Sequence, residues 1–146
     1  MREGEFIDNA EIVYRRVPND PMFFSVVGGK LRVHSVAFND KTQKPSVERS
    51  SLLDNEPQRA KTVGTQGVVG LVTGSVRGID TVTQTDTDGN VIKTHQIDVV
   101  PDKLPDNPAH ALITHAPEFQ SKRPFERLKE RLARLAEKEG WLVEPS

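Results

Sequence analysis

The sequence contains no cysteine among its 146 residues, which excludes disulfide bonds, thiolate catalysis and cysteine-ligated metal sites. It also lacks any apolar run near the roughly 18 residues that a membrane-spanning helix requires. The first residues, MREGEFIDNAE, are too acidic for a signal peptide. We therefore expect a cytoplasmic protein with no membrane partner.

An excess of charge of one sign is missing as well. Lysine and arginine total 20 against 21 aspartate and glutamate residues, which gives a formal net charge of -1. Proteins that coat nucleic acid carry a strong positive charge, so nucleic acid is not expected as a partner. Hydrophobic residues make up 35% of the chain and aromatic residues 5%, which predicts a modest core. The length is typical of one globular domain, residues 1–146.

The segment 30–51, KLRVHSVAFNDKTQKPSVERSS, contains the strongest local signals. Its first part alternates so that successive side chains would point to opposite faces, which predicts a strand over residues 31–38. Short polar residues that are typical of a turn follow this strand. Ser46 comes after a proline and is a helix N-cap residue, so we expect a short helix over residues 46–54.

Short apolar segments rich in β-branched residues predict further strands, at residues 12–14, 22–27, 81–84, 91–100 and 111–114. Asp88-Gly89 indicates a hairpin turn between the third and fourth of these segments, because glycine accepts the positive φ that such a turn requires. The proline-rich segment 101–110 is expected to be a loop that presents His110.

The glycine-rich segment 62–79 is consistent with either a strand or a helix. Gly70, Gly74 and Gly78 are four residues apart, but each interior glycine would weaken a helix by roughly 1 kcal/mol relative to alanine. We favour a strand over residues 67–73, followed by a turn or a short helix around residues 75–78.

Residues 121–139 have the helical spacing of a single apolar stripe, formed by Phe125, Leu128, Leu132 and Leu135. Gly140 is a typical helix stop, and we expect residues 141–143 to fold back on the core. Together these elements predict an α+β fold. A small, mostly antiparallel sheet would be packed by the C-terminal amphipathic helix and one shorter helix.

Five sequence blocks, YRRVPND, LRVHSVAF, PSVERSSLL, SVRGIDTV and DNPAHALI, together resemble a family of short bacterial proteins of uncharacterised function. The resemblance spans about residues 12 to 143. It implies that these blocks belong to one globular unit, and it implies no particular reaction.

Five side chains are candidates for an anion-binding, acid–base site, namely Arg15, Arg16, His34, Glu48 and His110. Arginine would bind phosphate oxygens with two donors, histidine would exchange a proton near neutral pH, and glutamate would orient a hydroxyl group. Catalysis would require residues 14–16 to lie beside the strand 31–38, with the 101–110 loop folded over both. Structural roles are the alternative, with Glu48 complementing a helix dipole and His34 lying in a sheet.

The remaining histidines do not predict a metal site. His110 and His115 are five residues apart, so on a strand their side chains would point to opposite faces. The segment DTDGN imitates part of a calcium loop, but Ile97 stands where that loop needs its closing glutamate. We expect no metal and no cofactor.

Two hypotheses for function follow. The first is a binding or interaction module whose partner is an unknown protein or a small phosphate-bearing ligand, since no complete catalytic signature is present. The second is a small enzyme that acts on a nucleotide or another phosphate-bearing ligand, using the five candidate residues. The sequence leaves open whether the protein is an enzyme.

Overall fold

The computed structural model describes residues 6–79, 82–85, 88–89, 91–119 and 122–146. Within these ranges it contains nine strands and two α-helices. The strands are β1 (Ile12–Val17), β2 (Phe24–Val27), β3 (Lys30–Val33), β4 (Ser46–Arg49), β5 (Gly67–Val72), β6 (Val82–Thr85), β7 (Val91–Pro101), β8 (His110–Ala116) and β9 (Trp141–Val143). The helices are α1 (Thr73–Arg77) and α2 (Lys122–Glu139), and 3₁₀ turns span Ser35–Phe38, Ser50–Leu53 and Pro57–Ala60.

Seven strands form one antiparallel sheet in the order β6-β7-β8-β4-β1-β5-β9. The remaining two, β2 and β3, form a separate antiparallel ribbon. Helix α2 packs against β5, β3 and the 3₁₀ turn at residues 35–38. The predicted α+β fold is therefore confirmed. No helix in the described part of the chain is long and apolar enough to cross a membrane.

One face of the sheet, which we call the helix-side face, lies under α2. Its core combines strand residues with the predicted apolar stripe of the helix, including Val13, Val17, Val47, Leu71, Ile113, Phe125, Leu128 and Leu132. Leu128 and Leu132 are fully buried, and each such side chain contributes about 1.5–3 kcal/mol to folding through removal from water.

The opposite face, which we call the open face, is covered by shorter pieces of chain. Tyr14, Ala60 and Val68 form a small buried cluster there, and Leu53 and Leu142 pack against it. The cover consists of the 3₁₀ turns after β4 and of strand β9 at the edge of the sheet. The predicted return of residues 141–143 to the core is therefore observed.

Close packing of β9 explains two of the glycines in β5. A Cβ atom on Gly67 would lie 2.5 Å from the ring of Trp141, and one on Gly70 would lie 2.7 Å from a methyl carbon of Leu142. Neither distance is compatible with a larger residue unless the side chain of Trp141 or Leu142 moves. The strand interpretation of this segment is confirmed, and α1 follows it directly.

The helix predicted over residues 46–54 is wrong. Residues 46–49 form β4, which is paired on one side with β1 and on the other with β8, and only the residues after it form a 3₁₀ turn. The local capping signal of Ser46 is overridden because a strand in the middle of the sheet satisfies its backbone on both sides.

The strand predicted over residues 31–38 is too long, because β3 ends at Val33 and residues 35–38 form a 3₁₀ turn. Strand β1 lies between β4 and β5 rather than beside β3. The predicted hairpin turn at residues 85–90 and the predicted helix start at Ser121 lie partly outside the described residues.

The ribbon is fixed to the rest of the molecule through Val33 and Phe24. Val33 is buried, its N–H donates to Glu137 Oε2 at 2.7 Å, and its carbonyl accepts from Arg134 Nη2 at 2.7 Å. Both partners belong to α2. Phe24 meets Trp141 edge to face, with ring centroids 5.0 Å apart. One side of the ribbon therefore packs on the core, and the other side remains accessible.

Candidate functional site

A row of polar side chains crosses the open face of the sheet. Tyr14 of β1 is the register partner of Glu48 in β4, and Glu48 is the partner of His110 in β8. Asp102 follows in the same line, because its N–H donates to the carbonyl of His110 at 2.9 Å. We call these four residues the polar row. Their sequence neighbours Val13, Val47 and Ala111 lie in the helix-side core, and alternation along a strand directs the row away from it.

Glu48 is the buried centre of the polar row, with 4% of its surface exposed. Its Oε1 accepts from Arg16 Nη1 at 3.0 Å, and Asn107 Nδ2 lies 3.0 Å from each of its two oxygens. A buried carboxylate is costly unless it is paired and hydrogen-bonded. These contacts meet that requirement, and they place Glu48 to orient Arg16.

Asn107 was not predicted from the sequence. It lies in the proline-rich loop after β7, which closes on itself through two backbone hydrogen bonds of 3.1 Å between Leu104 and Asn107. The hydrogen bonds from Asn107 bring this loop to Glu48. The arrangement required by the enzyme hypothesis, with residues 14–16 beside the strand 31–38 and the loop over both, is not present because β1 lies between β4 and β5. Asparagine in a proline-framed turn is the only sequence signal that would have drawn attention to it.

His110 is oriented by Asp102. Its Nδ1 lies 3.0 Å from the Asp102 carbonyl and 3.1 Å from the Asp102 Oδ2 atom. A carbonyl oxygen only accepts, so Nδ1 carries the hydrogen, and in the neutral ring Nε2 carries a lone pair. The side chain of His110 is 15% exposed, so most of the imidazole is buried.

A cavity of about 510 Å³ opens where β1 and β4 separate. The two strands pair only as far as Tyr14 and Glu48, and beyond that point β1 is paired with β5 alone. We call this space the fork cavity. Its polar lining includes Arg16, Asn39, Asp40, Ser46, Glu48 and Gln66. Its apolar lining includes Pro18, Met22, Phe23 and Val36.

Arg16 presents a guanidinium group to the fork cavity with part of its hydrogen-bonding capacity unused. Nη1 donates to Glu48 and to the carbonyl of Ala60, both at 3.0 Å. The side chain is 29% exposed. Among the described residues, no acceptor is hydrogen-bonded to Nε or Nη2, so these two atoms are available to a ligand.

Arg15 points to the other face and has a structural role. Its guanidinium donates to three backbone carbonyls: Nε to Ala37 at 3.0 Å, Nη1 to Ser46 at 2.7 Å, and Nη2 to Asn39 at 3.1 Å. Burial lowers the pKa of Arg15 to about 10, although the charge of Asp40 acts in the opposite direction. Arg15 therefore joins the turn after β3 to the start of β4, and most of its donors are already occupied.

His34 lies in a different groove, next to the ribbon and to Arg134 of α2. The structure therefore brings Arg16, Glu48 and His110 together on the open face. Arg15 lines the fork cavity with its guanidinium bound to backbone carbonyls, and His34 lies in a separate groove. A catalytic role for all five residues stays a prediction.

The predicted absence of a metal site also stays a prediction. Within the described residues, no group of three histidine, aspartate or glutamate side chains is arranged to hold a metal ion. The second histidine of β8, His115, faces the helix side, where its Nε2 donates to the carbonyl of Gln43 at 3.0 Å.

No protein-family model matches this chain, and neither a curated protein nor a solved structure is significantly similar to it. The resemblance to a bacterial family therefore stays a prediction.

Proposed function

We propose that this protein is a binding module that holds a small phosphate-bearing ligand in the fork cavity, with Arg16 as the principal donor. The observation that supports this proposal is the state of the Arg16 guanidinium. Glu48 and the Ala60 carbonyl hold Nη1 in place, while Nε and Nη2 remain available. A planar guanidinium with two such donors matches the geometry of phosphate oxygens.

Preorganisation of this donor supports specific binding. The Arg16 side chain is anchored by a carboxylate that is itself held by Asn107. An arginine that is already ordered loses less conformational freedom when a ligand binds, and the saved entropy appears as affinity.

The other charged side chains around the cavity make Arg16 the natural anion site. Most donors of Arg15 are engaged by backbone carbonyls. Asp40 Oδ1 accepts from the N–H of Thr42 at 2.8 Å, which fixes this carboxylate within its own turn. Arg16 is therefore the cation with unused donors in the described lining of the cavity.

The cavity also has room for the organic part of a ligand. Its volume of about 510 Å³ lies within the range of about 300–1,000 Å³ that is common for small-molecule sites. The wall formed by Pro18, Met22, Phe23 and Val36 suits an apolar or planar group. A nucleotide combines a planar group with a phosphate, so it matches a cavity that has an apolar wall and an arginine donor.

Binding is favoured over catalysis because the acid–base groups near the cavity are either already hydrogen-bonded or too far from it. Both oxygens of Glu48 accept hydrogen bonds, and His110 lies one strand further from the cavity. Catalysis needs a proton acceptor within hydrogen-bond distance of the reacting group. In the described lining of the cavity, no hydroxyl group contacts an imidazole.

Calorimetric titration of the full chain with a nucleoside monophosphate, the matching nucleoside and inorganic phosphate tests the proposal. We expect the nucleotide to bind at least 10-fold more tightly than the nucleoside, and Arg16→Gln to remove that difference. Arg59→Gln is the matched control, because Arg59 is 52% exposed and is paired with Asp54 and Glu56 on a neighbouring turn. Equal binding of nucleotide and nucleoside, unchanged nucleotide binding by Arg16→Gln, or no binding at millimolar concentration would each refute the proposal.

A further inference from the structure

The accessible side of the β2–β3 ribbon carries a serine and a histidine in direct contact. Ser25 is the register partner of Arg32, and His34 lies two residues beyond Arg32, so alternation places all three on the same side. Ser25 Oγ is 3.1 Å from His34 Nε2, and His34 Nδ1 is 2.9 Å from the carbonyl of Met22.

These two distances fix the direction of the hydrogen bonds. The Met22 carbonyl only accepts, so Nδ1 of His34 carries the hydrogen. Nε2 of the neutral ring is then a lone-pair acceptor, and the hydrogen bond with Ser25 runs from the hydroxyl group to the imidazole. A hydroxyl that donates to a base, with the base oriented by a third group, is the arrangement that activates a nucleophile.

The pair lies in an open groove of about 490 Å³ that is separate from the fork cavity. The groove is also lined by Arg32, Ser35, Glu130 and Arg134. The side chains of Arg32 and Arg134 are 53% and 43% exposed, and Glu137 lies 3.7 Å from the first and 3.0 Å from the second. Two partly exposed arginine side chains thus line the groove that contains the hydroxyl group.

Helix α2 keeps the groove in shape. Arg134 and Glu137 bind the backbone of Val33, the residue immediately before His34, and the N–H of His34 donates to the carbonyl of Phe23 at 2.9 Å. The base is therefore positioned by backbone contacts, from α2 at Val33 and from the turn before β2, which supplies the carbonyls of Met22 and Phe23.

We propose that Ser25 and His34 form a nucleophile–base pair that hydrolyses a small carboxylic ester bearing an anionic group, which Arg32 binds. Ser25 Oγ attacks the ester carbonyl carbon and its proton passes to His34 Nε2. The bond from that carbon to the alcohol oxygen breaks, and the alcohol leaves with the proton. Water then attacks the acyl–Ser25 ester, gives a proton to Nε2, and releases the acid as Ser25 regains its hydrogen. This site and its reaction are independent of the ligand proposed for the fork cavity.

Reaction of the full chain with a fluorophosphonate reagent tests the nucleophile by mass spectrometry. We expect one adduct per chain, on the peptide that contains Ser25, at least 10-fold slower labelling of His34→Gln, and no adduct at this position in Ser25→Ala. Ser35→Ala is the matched control, because Ser35 lines the same groove while the described partners of the His34 ring are Ser25 and Met22, and it should be labelled at the parent rate. An unlabelled parent chain, an adduct elsewhere, or equal loss of labelling in Ser35→Ala would overturn the proposal.

Hydrolysis of two p-nitrophenyl esters tests the substrate class. The monoester of succinic acid should be cleaved at least 10-fold faster than the acetate, and Arg32→Gln should abolish this preference. Arg32 is chosen over Arg134 because its ion pair is long and it makes no hydrogen bond to the backbone of the ribbon. Equal rates on the two esters, or a preference retained in Arg32→Gln, would overturn the assignment of an anionic substrate.

Discussion

The two faces of the main sheet are built from the same strands and differ in almost everything else. Val13 and Val47 belong to the helix-side core, whereas the residues that follow them, Tyr14 and Glu48, belong to the polar row. The helix-side face is covered by one amphipathic helix. The open face is covered by 3₁₀ turns, a loop and a three-residue strand.

The kind of segment that packs on each face, a helix or several short pieces of chain, determines which face can hold a charged site. A continuous helix excludes water over its whole length, so the face beneath it favours apolar side chains. Short segments leave gaps such as the fork cavity, and a carboxylate beside such a gap is tolerated when it has partners. The stability of the fold and the proposed binding of a ligand are thus assigned largely to opposite faces, and the following experiments test this assignment.

Leu132→Ala should produce the largest loss of stability. Leu132 is fully buried on the helix-side face, and truncation of such a leucine costs about 2–5 kcal/mol. Urea unfolding measures the loss, and Leu52→Ala is the control, because Leu52 is 42% exposed. A change below about 1 kcal/mol would show that the helix does not form the core.

Gly67→Ala should have the next largest effect. The added Cβ would meet the ring of Trp141 at 2.5 Å, and overpacking of this kind costs about 1–3 kcal/mol. Trp141 is the only tryptophan, so its fluorescence reports any displacement of β9. Gly64→Ala is the control, since its Cβ would meet nothing within 4 Å. Identical spectra and stabilities of the two variants would contradict the close approach of β9 to β5.

Glu48→Gln should affect ligand binding more than stability. In this variant the NH₂ group of the new amide would face the NH₂ group of Asn107 or of Arg16, and two donors cannot bond to each other. The lost hydrogen bond should lower the free energy of unfolding by about 1–2 kcal/mol. A double-mutant cycle with Arg16→Gln, measured on the free energy of unfolding, should give a coupling energy above about 0.5 kcal/mol, because the two side chains share a hydrogen bond. If the effects of the two substitutions were additive, Glu48 would not be the anchor of Arg16 at the proposed ligand site.

The smallest effect should be a pH dependence from His115 on the helix-side face. Burial lowers the pKa of His115, and its hydrogen bond to the Gln43 carbonyl opposes this only in part. The unfolded chain therefore binds this proton more readily, so stability is complete above a pH of about 6.5 and falls as the pH decreases towards the lowered pKa. His115→Gln should reduce the decrease in urea midpoint between pH 7.5 and 5.5. An unchanged pH dependence in His115→Gln would contradict the assignment.

The sequence predicted the elements whose signal is local and periodic. The leucine stripe predicted α2 and its end at Glu139, and the glycine and valine content of residues 67–73 indicated β5. It misplaced the segment 46–54, because the pairing of β4 with two distant strands cannot be read from a serine after a proline. Long-range strand pairing is a tertiary effect that local propensity does not encode.

The candidate site shows the same limit. Arg16, Glu48 and His110 were recognised by their chemistry, but their alignment across three strands depends on the register of β1, β4 and β8. Arg15 was grouped with Arg16 because the two are adjacent in sequence, although alternation along a strand separates them. Asn107 and Ser25 were missed because uncharged polar residues in loops and ribbons are common, and only their contacts distinguish these two.

The hydrogen bonds between α2 and the backbone of Val33 have a consequence for association between chains. An exposed strand edge with a free N–H and carbonyl group is a template on which a second chain can add a strand. Glu137 and Arg134 occupy both groups at Val33, so a neighbouring strand would have to displace two charged side chains before it could pair there. A chain that lacks both side chains should aggregate through this edge at concentrations where the parent remains monodisperse.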